Sequence, residues 1–195
     1  SAATLLGQDR NEIEQAMKKQ DLIYFSGITL AILDQSSRHN LFSCLKLARR
    51  AGKKIAFDPN LRPKLWNDKA EMRDVIMAGA NLSDIILPSF DDEAAWFSDP
   101  DPISTIRRYQ KVGAETVIVK NGGKPISYFS DQAIGTYPIN SVKAVVDSTA
   151  AGDSFNAEIL VGILRKLPLS EAIGNGANLA KRVIMGQGAL VKSNA

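Results

Sequence analysis

The stretch Val145-Val146-Asp147-Ser148-Thr149-Ala150-Ala151-Gly152-Asp153-Ser154-Phe155-Asn156-Ala157 decides how this chain is read. Its apolar start leads out of a strand, small residues make the crossing, and a helix opens with Asp153 in its first turn. Side chains this small let an anionic group approach the backbone closely. The N–H groups at a helix start have no intrahelical partner and point toward such a group. A carboxylate beside a bound phosphate is electrostatically unfavourable unless it has a task. The natural task is to take a proton from a hydroxyl that attacks phosphorus. The stretch therefore reads as a phosphoryl-transfer site, with Asp153 as base and the backbone of Ala150, Ala151 and Gly152 as an anion hole. A plain helix cap with tight packing is the bland alternative for the same residues.

Outward from this stretch, apolar runs of strand length alternate with helical patterns. Strands are expected at Leu22-Ile23-Tyr24-Phe25, Ile55-Ala56-Phe57, Ile85-Ile86-Leu87 and Thr116-Val117-Ile118-Val119. Helices are expected from about Ser37 to Arg50, from Lys69 to Ala80 behind a capping Asp68, from the acidic Asp91-Asp92-Glu93, and from Pro102 to Lys111. After Lys120 come a turn at Asn121-Gly122-Gly123 and two runs resembling a hairpin or meander, Ile126 to Phe129 and Ala133 to Tyr137. Helices return over Ser154 to Lys166 and Ser170 to Gly186. Strands spaced by helices predict an α/β fold, a mostly parallel central sheet with helices on both faces in a Rossmann-like three-layer arrangement. No repeat, low-complexity tract or linker interrupts residues 1–195, which predicts a single domain. In an open parallel sheet, ligands sit beyond the carboxyl ends of the strands. Asp58 to Arg62, Lys120 to Lys124 and Ala150 to Asp153 fall at such ends and are expected to share one rim.

Composition removes several classes. Of 195 residues, 45% are apolar, enough for a substantial core. The net charge of +3 is dispersed over short clusters, and no basic tract is interleaved with aromatics, so nucleic acid is not an expected partner. A slight positive balance suits small anionic substrates. Cys44 is the only cysteine, which excludes an internal disulfide and a cysteine metal site, and its apolar helical neighbours make it a core residue. The single histidine, His39, reads as surface or capping. The longest apolar stretch, Leu22 to Leu33, is too short for a bilayer, and no signal peptide is expected. No membrane partner and a reducing, cytoplasmic setting are expected.

Asp147, Thr149, Ala151, Gly152 and Asp153 match the Asp-x-Thr-Gly-Ala-Gly-Asp run that precedes a long helix in ribokinase-like (PfkB-type) carbohydrate kinases. The stretch resembles that signature with one departure, Ala150 where most members carry Gly. The resemblance implies a ribokinase-like fold and ATP-dependent phosphorylation of a sugar. It also implies Mg²⁺ held mostly by ATP oxygens and water, with no direct protein ligand.

The loop Asp58-Pro59-Asn60-Leu61-Arg62-Pro63-Lys64-Leu65-Trp66 follows a strand directly, and its prolines stiffen it. A guanidinium held at a fixed angle suits a bidentate grip on a carboxylate or phosphate. On residues alone, Arg62 pairing with Asp58 or another structural acid is equally open. The loop closely resembles the Asp-x-Asn-x-Arg…Leu-Trp loop of 2-keto-3-deoxygluconate kinases, and Ser1-Ala2-Ala3 and Ser26-Gly27-Ile28-Thr29-Leu30 look like that subgroup too. This implies that Arg62 lies near both the sugar acid and ATP, with Asn60 beside the nucleotide phosphates. A primary hydroxyl of 2-keto-3-deoxygluconate would attack the γ-phosphate and give 2-keto-3-deoxy-6-phosphogluconate. The rival readings are a kinase for fructose, ribose or a nucleoside, and a non-catalytic nucleotide-binding or assembly domain.

Val119-Lys120-Asn121-Gly122-Gly123-Lys124-Pro125 resembles the family's Val-Lys-x-Gly-x-Lys-Gly nucleotide loop. The resemblance implies ATP contacts from Lys120, Gly122 and Lys124, while Pro125 in place of Gly removes an N–H donor. Asn178 matches a helix that borders the adenine pocket in relatives. Leu87 to Glu93 occupies the place of the Asn-x-x-Glu motif, with Ser89 for Asn and either Asp92 or Glu93 as the carboxylate. The likeness covers nearly the whole chain but only the later part of a complete sugar kinase. The Gly-rich sugar site, further sheet strands and β-stranded lid have no counterpart here. The expectation is an N-terminally incomplete chain with little kinase activity by itself, whose exposed sheet edge favours association, including a homo-oligomer.

Overall fold

Runs of β-branched and aromatic residues set the strands, and a computed structural model describes them within residues 9–139 and 150–185. Asp147, Thr149, Ser1 to Ala3 and the expected cap Gly186 lie outside the described residues. The strands β1 (Leu22–Ser26), β2 (Lys54–Asp58), β3 (Ile85–Ile86), β4 (Thr116–Val119), β5 (Ile126–Ser130) and β6 (Ala133–Tyr137) form one six-stranded sheet in that order. β1 to β4 pair in parallel, with Phe25 opposite Phe57, Ala56 opposite Ile85 and Ile86 opposite Val117. Ile55, Ala56, Phe57 and Asp58 are all buried, so both faces of β2 are covered. That double burial is why the strand reads as a continuous apolar run instead of alternating. Asp131 and Gln132, between β5 and β6, both have positive φ, the conformation of a tight two-residue hairpin turn.

Helices start where a short polar side chain can take up the free amides of the first turn. α1 (Arg10–Lys18) begins behind Asp9, which accepts the Asn11 and Glu12 N–H groups. α2 (Gly27–Ile32) begins behind Ser26, whose hydroxyl accepts the Thr29 N–H at 3.4 Å. Neither helix follows from the sequence pattern: α1 buries only Met17, and α2 continues the apolar run of β1 without a break. α3 (Gln35–Arg50), α4 (Lys69–Asn81) and α6 (Pro102–Lys111) start behind Asp34, Asp68 and Asp101. The amides of Ser37, Ala70 and Ser104 hold those three carboxyls below their ordinary range. His39 is exposed within α3, so the capping belongs to Asp34. α5 (Phe90–Phe97), α7 (Ala151–Leu164) and α8 (Leu169–Met185) complete the described helices.

The chain divides into two compact units. The first runs up to Val119 and includes Tyr128–Ala133; the second holds Lys120–Ser127 and the positions from Ile134 onward. In the first, Leu30, Leu45, Ile55, Phe57, Ile76 and Ile86 are fully buried in one apolar cluster, and Cys44 is buried with them. Each such side chain contributes about 1.5–3 kcal/mol relative to exposure. In the second unit, α7 and α8 approach through glycines. A Cβ on Gly162 would lie 2.5 Å from the Cβ of Ala172, and one on Gly176 would lie 2.9 Å from the Phe155 ring. Among the described residues, no helix is long and apolar enough to cross a membrane.

Candidate functional site

α7 begins unlike the helices behind aspartates. Ala150 precedes it with φ 60° and ψ 3°, the left-handed region, and no side chain caps it. A residue with a Cβ costs about 1–2 kcal/mol there, so glycine would be the relaxed choice at this position. The helix starts at Ala151 and not at the expected Ser154, because the left-handed residue turns the chain into helical geometry at once. Ala151, Gly152 and Asp153 therefore lie in the first turn, where amides have no intrahelical acceptor. Ser154 donates to the Ala150 carbonyl at 2.8 Å. Gly152 is exposed, and a Cβ on it would meet nothing within 4 Å. Packing therefore does not require glycine there, and the space beside it is open. Asp153 is exposed on the same turn, at the positive end of the helix dipole.

Lys120 reaches this helix. Its Nζ donates to the Asn156 Oδ1 at 3.0 Å, and Asn156 is 1% exposed. Asn156 stands three positions after Asp153, on the same side of α7. Sequence reasoning missed Asn156; its helical spacing from Asp153 was the signal available. Beyond Lys120, the Lys124 N–H donates to the Asn121 carbonyl at 3.0 Å and closes a turn that needs Gly122 at φ 56°. Lys124 is exposed at the tip, and Asn178 is exposed on α8. The second unit thus contains Ala150 to Asp153, Lys120, Gly122, Lys124 and Asn178, and it joins Lys120 directly to α7.

Asn60 and Arg62 belong to the first unit, in the loop that leaves β2. Asp58 is buried and its carboxylate accepts the Asn60 N–H at 3.2 Å, while Asn60 takes a φ of 34°. Arg62 is exposed and donates to the neighbouring Leu61 carbonyl at 3.0 Å. None of the salt bridges among the described residues includes Arg62. The structural pairing with Asp58 is therefore not what holds this guanidinium.

Of the two acids left open at the start of α5, Glu93 faces inward. It is fully buried, bonded to Arg108 at 2.6 Å and to the Tyr109 hydroxyl at 3.0 Å. Burial pushes its carboxyl up to about 7 against the opposing pull of Arg108 and Tyr109. Asp92 is only half-buried and keeps the position three after Ser89. Among the described residues, no group of three or more acidic, histidine or cysteine side chains gathers as a metal site.

A family model described as pfkB family carbohydrate kinase matches residues 1–194. The chain is 38% identical over 196 residues to 2-dehydro-3-deoxygluconokinase of Haemophilus influenzae, covering 98% of this chain and 62% of that protein. It is 34% identical over 137 residues to a fructokinase of Klebsiella pneumoniae, covering 69% of this chain and 44% of that protein. Among solved structures, a PfkB protein from Polaromonas sp. JS666 matches with a TM-score of 0.78 at 26% identity, over 90% of this chain and 57% of that one. The chain therefore spans 62% or less of each of these relatives. A match that runs from the first residue to the penultimate one places the chain in the pfkB family of carbohydrate kinases.

Proposed function

We propose that the full-length protein transfers the γ-phosphoryl group of ATP to a small sugar acid, converting 2-keto-3-deoxygluconate to 2-keto-3-deoxy-6-phosphogluconate. The observation that carries this reading is Asp153, an exposed carboxylate on the first turn of a helix that no side chain caps. Uncapped amides, a glycine with open space above it and a nearby ammonium suit phosphate oxygens. Ala150, Ala151 and Gly152 would stabilise charge as it develops on phosphorus. Lys120, Gly122, Lys124 and Asn178 would hold ATP, and Mg²⁺ would ride on the phosphate oxygens and water. Asp153 accepts the proton of the primary hydroxyl. The new oxygen–phosphorus bond forms as the bond from phosphorus to the ADP oxygen breaks, and the electron pair leaves with ADP. ATP as donor and the unpaired, buried Cys44 fit a cytoplasmic setting.

Arg62 supplies the preference for an acid. A charge-assisted hydrogen bond is worth about 1.5–3 kcal/mol, so Arg62→Met should raise KM for the keto acid roughly thirtyfold, at about 1.4 kcal/mol per tenfold. KM for fructose should stay within about twofold, because a neutral sugar gains no ion pair from the guanidinium. Steady-state kinetics on 2-keto-3-deoxygluconate, fructose and ribose with the full-length protein tests both statements. The likeness to a fructokinase supports the second reading, a kinase for a neutral sugar. Higher kcat/KM for fructose than for the keto acid would establish it and remove the acid.

A further inference from the structure

Helix α4 opens with a cation, against the usual charge preference. Lys69 is its first residue, where the helix dipole disfavours positive charge. Its ammonium is turned back onto the preceding loop. It donates to the Pro63 carbonyl and, at 3.1 Å, to the Trp66 carbonyl. The Pro63 carbonyl also accepts the Trp66 N–H at 3.3 Å, and the Arg62 carbonyl accepts the Leu65 N–H at 2.8 Å. Lys69 therefore closes the single 3-10 turn, Pro63–Leu65, that directly follows Arg62.

The rest of this loop is fastened at fixed points. Gly27 admits the Pro59 carbonyl so closely that a Cβ there would sit 1.8 Å from the oxygen. Asp58 holds the Asn60 amide. Trp66 is 7% exposed and lies under the Arg38 guanidinium, whose carbon is 5.4 Å from the ring centre. Arg38 is in turn tied to the Leu33 carbonyl at 3.1 Å and to Glu71 at 2.8 Å. Between these anchors, the Arg62 side chain is left exposed on a short stretch of backbone with little freedom.

We propose that Lys69 is a positioning residue for substrate recognition: by clamping the Pro63 and Trp66 carbonyls it sets the angle at which Arg62 meets the carboxylate of a sugar acid. This rests on the assignment of Arg62 to that carboxylate. An ammonium with two carbonyl acceptors restrains the chain on the far side of Arg62, as Asp58 and Gly27 do on the near side. A displaced guanidinium loses its bidentate grip, and errors of about 1 Å in a positioning group can cost up to about a hundredfold.

The test is a double-mutant cycle in the full-length protein with Lys69→Met, Lys69→Arg and Arg62→Met, read by kinetics and by amide hydrogen exchange over residues 59–66. Lys69→Met should raise KM for the keto acid about tenfold and change kcat less than about twofold. The Lys69→Arg variant should recover most of that KM, because a guanidinium can bond the same carbonyls. In the Arg62→Met background, Lys69→Met should leave KM unmoved. Exchange over 59–66 should quicken in Lys69→Met and return toward the parent in Lys69→Arg. An unchanged KM in Lys69→Met, or an equal rise with and without Arg62, overturns the proposal. If Arg62→Met alone leaves KM unmoved, the carboxylate assignment fails separately; unchanged exchange in Lys69→Met then also overturns the clamp.

Discussion

Replacing Asp153 by Asn is expected to lower kcat on the keto acid about a thousandfold while ATP binding persists. Positioned general bases contribute about 10²–10⁴-fold, and Asn keeps the size of the side chain while removing its capacity to accept the proton. Asp153 is exposed in the first turn of α7 and caps no amide, so the substitution leaves the packing of Phe155 and Ile159 untouched. Removing a negative charge beside the phosphates does not weaken their attraction to the helix end. Calorimetric titration with ATP on the same samples separates the two effects. Unchanged turnover would remove Asp153 as the base, and lost ATP binding with lost turnover would show that the change disturbed the helix start.

Removing the cation inside the first unit should produce the largest effect on stability. Arg108 bonds Glu93 and Asp99 at 2.6 Å each, lies over the Phe97 ring at 3.9 Å and over the Tyr109 ring at 4.5 Å. Well above pH 7, where the Glu93 carboxylate left behind is charged, breaking a buried pair by removing one partner costs about 3–5 kcal/mol, because that charge is left uncompensated. Arg108→Met should therefore lower the unfolding midpoint by about 10 °C. Adding Glu93→Gln should restore part of this loss, since the amide can accept the Tyr109 hydroxyl without carrying charge. If the double variant is no more stable than Arg108→Met, uncompensated charge is not the cause. The pH dependence follows from the same group. The folded carboxyl titrates at about 7 against its ordinary 4.5, so the folded state holds a proton that the unfolded state releases. Its contribution is complete below pH 4.5 and is lost as pH rises through about 7. Chemical denaturation between those limits should show a falling stability that Glu93→Gln flattens; identical slopes would contradict the raised value.

The elements most legible in the sequence carried their own punctuation. Asp68 before Lys69 and the β-branched run at Thr116 marked the starts of α4 and β4 correctly, because caps and strand propensity are local chemistry. α2 was illegible because Gly27 to Ile32 is as apolar as the strand before it, and only a hydroxyl bond from Ser26 to Thr29 marks the break. The role of Gly27 shows only in space, where the Pro59 carbonyl occupies the volume of a side chain. The same limit applies around Asp153. The small-residue crossing and the acid were readable as a pattern, whereas the Lys120–Asn156 bond joins positions 36 apart. Glu93 read as one of two candidate carboxylates at a helix start, but Arg108 and Tyr109 on α6 draw it into the interior.

The fate of the phosphoryl group tests the assignment most directly. Full-length protein would be mixed with 2-keto-3-deoxygluconate and ATP labelled in its γ-phosphate, and the products separated and identified by phosphorus NMR. The expected result is label bonded to the C6 oxygen of the keto acid in the parent protein and about a thousandfold less in Asp153→Asn. Label found only as inorganic phosphate, or on the keto acid at equal rates in both proteins, would contradict a hydroxyl deprotonated by Asp153.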